Sequence, residues 1–322
     1  NVSPAAQWLW LRNNLVANLP GGGGREYSIR WALAGYGVLL HPEGTAGWHG
    51  ERVGTLLPGI VDLAWETCAR ARAAGRDLPV FVVPLVWRLC FTGDVSRALD
   101  REMGHVERAV GLPPGDGLPP AERFAALQAN LLLRRATALG LPTPPDPQGP
   151  GYFPAQEATE AAIVRELEAL GARIEREPAR IQHRARRKRR SESPRTSELY
   201  RELWRLAGFP RALYDTPTLS QEAIAENLKR QRTVLVTAGW RNALHNVVPV
   251  PAGPRVAHVR VPEPIAVHET FAAGGDPAPA KARLLDLLAA RLQGGLDGLG
   301  AELAPRLERR RRPNPLWTGA TR

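Results

Sequence analysis

The carboxylate best placed to do chemistry in this chain is Glu43. It follows a short apolar run, Gly37-Val38-Leu39-Leu40-His41, and stands between Pro42 and the pair Gly44-Thr45. An apolar run bounded by Gly and Pro reads as a short buried strand. The carboxyl ends of strands are where open α/β sheets bind ligands. The plainer reading of Glu43 is a turn cap or one half of a surface ion pair. Other reactive residue types form no pattern. None of the seven histidines (His41, His49, His105, His183, His245, His258, His268) is followed by Asp five positions on. The two cysteines, Cys68 and Cys90, lack metal-ligand spacing and read as reduced, buried thiols. The run Gly21–Gly24 fits neither glycine pattern of nucleotide sites, so it reads as a loop.

Two segments flank Glu43 in the chain. Trp31–Tyr36 has helical character and leads into the apolar run. Beyond the motif, Leu57-Pro58-Gly59 enters a helix over Leu56–Ala74, whose Ile60, Leu63, Ala64 and Thr67 keep three-to-four spacing. Val80–Trp87 is continuously apolar, as expected of a parallel strand covered on both faces. A strand, a crossing helix and a second strand make a βαβ unit. From Asp94 to about Arg232 the pattern is helical, through Ala121–Leu139, Ala155–Glu177 and Ser197–Leu206, with Ser220 opening a further helix. Strand character returns at Thr233–Val236, Arg255–Val261 and Ile265–Val267. A leucine-rich amphipathic helix over Lys281–Leu303 closes the pattern. The expected architecture is α/β, a mostly parallel sheet flanked by helices. It divides into a core at 1–93, a helical insertion at 94–232, a return of the core at 233–305 and a basic tail at 306–322.

Composition narrows the partners. The chain of 322 residues carries a net charge of +11, much of it in Arg184–Arg190 and Arg309–Arg312. Such runs attract anionic surfaces. Arg187 and Lys188 are therefore candidate headgroup contacts, joined by Trp317, a residue type favoured at membrane interfaces. Nucleic acid ranks last, because no recognition motif or interleaved aromatic pattern accompanies the charge. No apolar run approaches the roughly 18–20 residues of a spanning helix. The expected location is peripheral, on the cytoplasmic face of a membrane.

The order Leu39-Leu40-His41-Pro42-Glu43-Gly44-Thr45, helix, then Leu78-Pro79-Val80-Phe81-Val82-Val83-Pro84-Leu85-Val86 resembles the glycerolipid acyltransferases of the PlsC type (1-acylglycerol-3-phosphate acyltransferase-like). The resemblance implies transfer of a fatty acyl group from acyl-CoA or acyl-carrier protein, as co-substrate, to a hydroxyl of a glycerol-phosphate or lysophospholipid-like acceptor, with no cofactor and no metal. It places Glu43, Gly44 and Thr45 at the acceptor: Glu43 hydrogen-bonds a hydroxyl or orients a cation, Gly44 lets the backbone approach, and Thr45 offers its own hydroxyl. Arg25 and Arg30 lie in the region of that family's second, basic motif. His41 stands where the family has an aromatic residue and is expected to be packed.

Three departures blur the acceptor. Ala46-Gly47 replaces Arg-Ser, Leu57-Pro58-Gly59 lacks the usual Lys, and the second motif is not clearly present. The family's catalytic His-x4-Asp pair is expected ahead of Asn1, so this chain reads as an amino-terminally truncated piece. The alternative, from another class, is a non-catalytic basic module that keeps the fold and binds membrane or nucleic acid.

Overall fold

The computed structural model describes residues 23–43, 51–54, 56–172, 181, 193–236, 252–271 and 276–319. Its elements group into two compact units. One comprises the described parts of Asn1–Ala46, Val53–Val86 and Arg260–Gly295, and the other those of Gly47–Arg52, Trp87–Val259 and Leu296–Arg322.

The first unit is built on helix α2 (Gly59–Ala73), which buries Val61, Ala64, Trp65, Cys68 and Ala71. That three-to-four spacing makes one apolar face. Helix α1 (Gly24–Leu33) packs on α2. There the Arg70 guanidinium takes both Glu26 and Glu66 at 2.8 Å, in an exposed cluster. Strand β1 (Phe81–Val82) pairs antiparallel with β5 (Ile265–Ala266). The short helix α9 (Val267–Thr270) follows β5 and is held by Arg72, whose guanidinium donates to the carbonyls of His268 and Phe271 at 3.1 Å. Helix α10 (Ala278–Leu307) gives this unit its residues up to Gly295. It buries Leu284, Leu288 and Leu292 at four-residue intervals, and Lys281 reaches Asp62 at 2.8 Å.

The second unit is mainly helical. It contains α3 (Ser96–Ala109), α4 (Pro120–Ala138), α5 (Tyr152–Ala169), α6 (Pro194–Ala207), α7 (Arg211–Tyr214), α8 (Gln221–Leu235) and the rest of α10. Strands β2 (Val86–Phe91) and β4 (Arg255–Arg260) pair, and β3 (Thr218–Leu219) pairs antiparallel with β6 (Arg312–Pro313). Two helix starts follow local chemistry. Ser193 accepts from the Thr196 amide ahead of Pro194, and Ser220 accepts from the Ala223 amide, each satisfying an otherwise orphan donor. The core gathers on Phe209, whose ring lies 4.0 Å from Tyr214, 5.4 Å from Tyr152 and 5.7 Å from Phe124. Beside it Glu202, buried to 1% exposure, accepts from Arg205 on the same helix and, at 3.1 Å, from Arg135 on α4.

Several sequence expectations are corrected. The strands of β1–β5 and β3–β6 run antiparallel rather than parallel. Along 81–86 the burial alternates: Val82, Pro84 and Val86 face inward while Phe81, Val83 and Leu85 are exposed. A continuous apolar run thus serves a one-sided segment, which composition alone cannot distinguish from a strand covered on both faces. Gly37–His41 forms no paired strand, and Leu39 is 75% exposed. Thr233–Leu235 ends α8 instead of forming a strand. Thr233 Oγ1 bonds the Lys229 carbonyl one turn back, a contact that lets a β-branched residue continue a helix. Arg310 and Arg311 of the basic tail are folded in: Arg310 donates to the carbonyls of Phe91 and Thr92, and Arg311 to Glu51 and Thr218. Asn314 anchors the tail, donating to the carbonyls of Tyr214 and Thr216 and accepting from the Leu316 amide.

Adjacent glycines of α10 differ in surroundings. A Cβ on Gly294 would meet nothing within 4 Å, whereas one on Gly295 would sit 2.9 Å from Pro262 and Val86 side-chain carbons. Gly294→Ala is expected to raise stability by about 0.5–1 kcal/mol through helix propensity. Gly295→Ala is expected to lower it by about 1–3 kcal/mol through overpacking. Urea unfolding of both variants, read by circular dichroism, separates the two effects.

Glu202 yields a pH dependence. Burial by itself would raise its carboxyl pKa, but Arg205 and Arg135 outweigh burial and hold it below the usual carboxylate range. A depressed folded pKa contributes stability above the unfolded value of about 4.3, and that contribution is lost as pH falls through the folded pKa. Glu202→Gln is expected to cost about 3–5 kcal/mol at neutral pH. It should also flatten the acid limb of stability against pH in urea titrations.

Candidate functional site

The turn after the apolar run is closed at two points. The Leu57 amide donates to the Pro42 carbonyl at 2.7 Å, and the Gly54 amide donates to Glu43 Oε1 at 2.7 Å. Together they pin the base of the connection between Glu43 and α2. Pro58 then precedes the helix as its N-cap residue, a place where the missing amide hydrogen costs little. Glu43 is only partly exposed. Its Oε2 carries no hydrogen bond among the described residues. One oxygen is spent on the backbone, and the other remains able to accept.

Gly44 and Thr45, expected beside Glu43 at the acceptor, lie outside the described residues. Arg25 and Arg30 are exposed on α1. Neither forms a hydrogen bond or ion pair with Glu43 among the described residues. Their charges fall on Glu26, whose carboxyl is held below its ordinary pKa chiefly by its hydrogen bond from Arg70, with Arg30 and Arg25 assisting. His41 is exposed rather than packed. Arg187 and Lys188 lie outside the described residues. Trp317 is half-buried next to Leu316, a residue at 0% exposure.

The sequence reading missed Glu51. Its carboxylate accepts from the buried Arg88 at 2.7 Å and from Arg311 at 2.5 Å. Partners so far apart in the chain leave no spacing signal. Both cysteines are unsuited to nucleophilic work at neutral pH, because burial pushes the Cys68 and Cys90 thiols above their ordinary pKa. Among the described residues no group of three His, Cys, Asp or Glu side chains is arranged to hold a metal ion. No helix among them is long and apolar enough to cross a membrane. No family model, curated protein or solved structure matches the chain.

The Glu43 contact is open to direct test. Glu43→Ala is expected to speed hydrogen exchange at the Gly54 and Leu57 amides several-fold. Glu43→Gln keeps a carbonyl oxygen for Gly54 and should stay near the wild-type rate. Equal protection in all three proteins would mean that the carboxylate does not hold the turn.

Proposed function

We propose that this chain supplies the acceptor side of an acyltransferase that moves a fatty acyl group from acyl-CoA or acyl-carrier protein to a hydroxyl of a lysophospholipid-like molecule. The observation that carries the reading is the division of labour at Glu43. Oε1 fixes the turn through Gly54, while Oε2 is left to accept a hydrogen bond. A carboxylate held this way is pre-oriented, so little side-chain freedom is lost when a hydroxyl binds. Pro42-Glu43-Gly44-Thr45, the helix entry at Leu57-Pro58-Gly59 and the Val-Pro segment through Val86 also follow the order of PlsC-type enzymes.

Acyl transfer to a hydroxyl needs a base to take its proton, donors for the tetrahedral oxyanion, and a site that holds both substrates in line. Glu43 belongs to the last of these. It orients the acceptor oxygen and is not the base. The base itself is sought in a His-Asp pair that these residues do not supply. The tail arginines Arg310 and Arg311 are engaged within their own unit, so the described residues give the basic-module alternative no comparable support.

Binding of a short-chain lysophosphatidate below its micelle concentration, followed by titration calorimetry on this chain, tests the reading. Glu43→Gln keeps the turn but replaces the accepting Oε2 with a donor. It is expected to weaken binding about 10–100-fold, the worth of one hydrogen bond to a charged group at about 1.5–3 kcal/mol. No saturable binding by the wild type, or unchanged affinity in Glu43→Gln, would overturn the assignment.

A further inference from the structure

The core of the helical unit contains polar atoms without a protein partner, and three of them belong to one small neighbourhood. Tyr152 and Gln156 lie one turn apart on α5, both buried. Gln156 Nε2 donates to Glu160 at 2.8 Å and to the carbonyls of Leu206 and Phe209 at 3.3 and 3.2 Å. Arg205, at 3% exposure, immediately precedes Leu206. The Tyr152 ring is 5.4 Å from that of Phe209, and the Arg205 charge is near enough to act on the phenol's ionisation. In this setting the Tyr152 hydroxyl, Gln156 Oε1 and Arg205 Nη1 are all buried without a hydrogen bond. Leaving such groups dry is costly, and folded proteins rarely tolerate it.

Charge and hydrogen-bond demand identify the guest. Arg205 Nε and Nη2 both donate to Glu202 Oε1, so the buried pair is neutral. Arg135, the other partner of Glu202, is 34% exposed on its side chain and screened by solvent. Glu160, bonded to Gln156 Nε2, adds a carboxylate whose pKa burial raises, so the surroundings hold no excess positive charge to attract an anion. The unmet demand is also mixed: Arg205 Nη1 can only donate, Gln156 Oε1 can only accept, and the Tyr152 hydroxyl does either. An anion would leave Gln156 Oε1 facing negative charge, and a cation would face the guanidinium. A single water meets all three demands, within the two to four partners usual for internal water. We propose that Tyr152, Gln156 and Arg205 hold one ordered water between α5 and α6, as a fixed part of the core.

A crystal structure of this chain at a resolution that shows ordered solvent tests the proposal. The expected result is one water-sized peak about 2.7–3.2 Å from each of the three atoms. A dry site with the side chains turned onto one another, or density for a larger molecule or an anion, would overturn it. Oxygen-17 relaxation dispersion gives a second reading in solution, with Tyr152→Phe as the variant because it keeps the packed ring. The variant is expected to lose the contribution of one long-lived internal water. An unchanged count would count against the site, whatever the effect of the substitution on stability.

Discussion

A buried carboxylate constrains how the helical unit can pack. Glu202 lies in the aromatic core, where an ionised group is tolerated only with compensating charge and hydrogen bonds. Arg205 supplies these from three residues further along α6, and Arg135 from the last turn of α4. Arg205 stays paired with Glu202 because both lie on α6, and the Arg135 contact ties α4 to the same carboxylate. The rings of Phe209, Tyr152, Tyr214 and Phe124 pack on one another in the same unit.

Glu43 shows the same chemistry used differently. It is not buried in a core, and its partner is a backbone amide eleven residues away. What it fixes is a turn rather than a helix pair. A carboxylate that spends one oxygen on the backbone gains orientation without losing its capacity to accept from a ligand. Under the proposed function, that economy is what suits Glu43 to an acceptor hydroxyl. Capping a turn and accepting from a hydroxyl would draw on different oxygens, so the observed bond to Gly54 leaves the proposed role open.

Helices were far more legible than strands. The leucine ladder of α10 and the Ser220 cap placed helices where they form, because a 3.6-residue period is written locally in the chain. In α2, by contrast, the buried face falls on Val61, Ala64, Trp65 and Cys68 and leaves Ile60 and Leu63 half-exposed. The strands failed for the opposite reason. Val80–Trp87 and Gly37–His41 are apolar, but whether such a run is covered on two faces, one or none depends on what packs against it. Thr233–Leu235 has strand-forming residue types yet continues a helix already in progress. At the candidate site Glu43 was legible from its motif. Its bond to Gly54 was not, because it joins residues eleven positions apart.

The sequence by itself determined the helical segments and two of their caps, which depend on residues within about a turn or two of one another. Only the tertiary structure decided which way the strands pair, that Glu51 joins Arg88 and Arg311, and that Arg205 and Arg135 share Glu202. It also paired β6 with β3 and tied Asn314 to the carbonyls of Tyr214 and Thr216, rather than leaving the basic tail free. These are meetings between residues from tens to hundreds of positions apart. No local pattern encodes them, because their free energy comes from desolvation and charge pairing that exist only once the distant segments have packed.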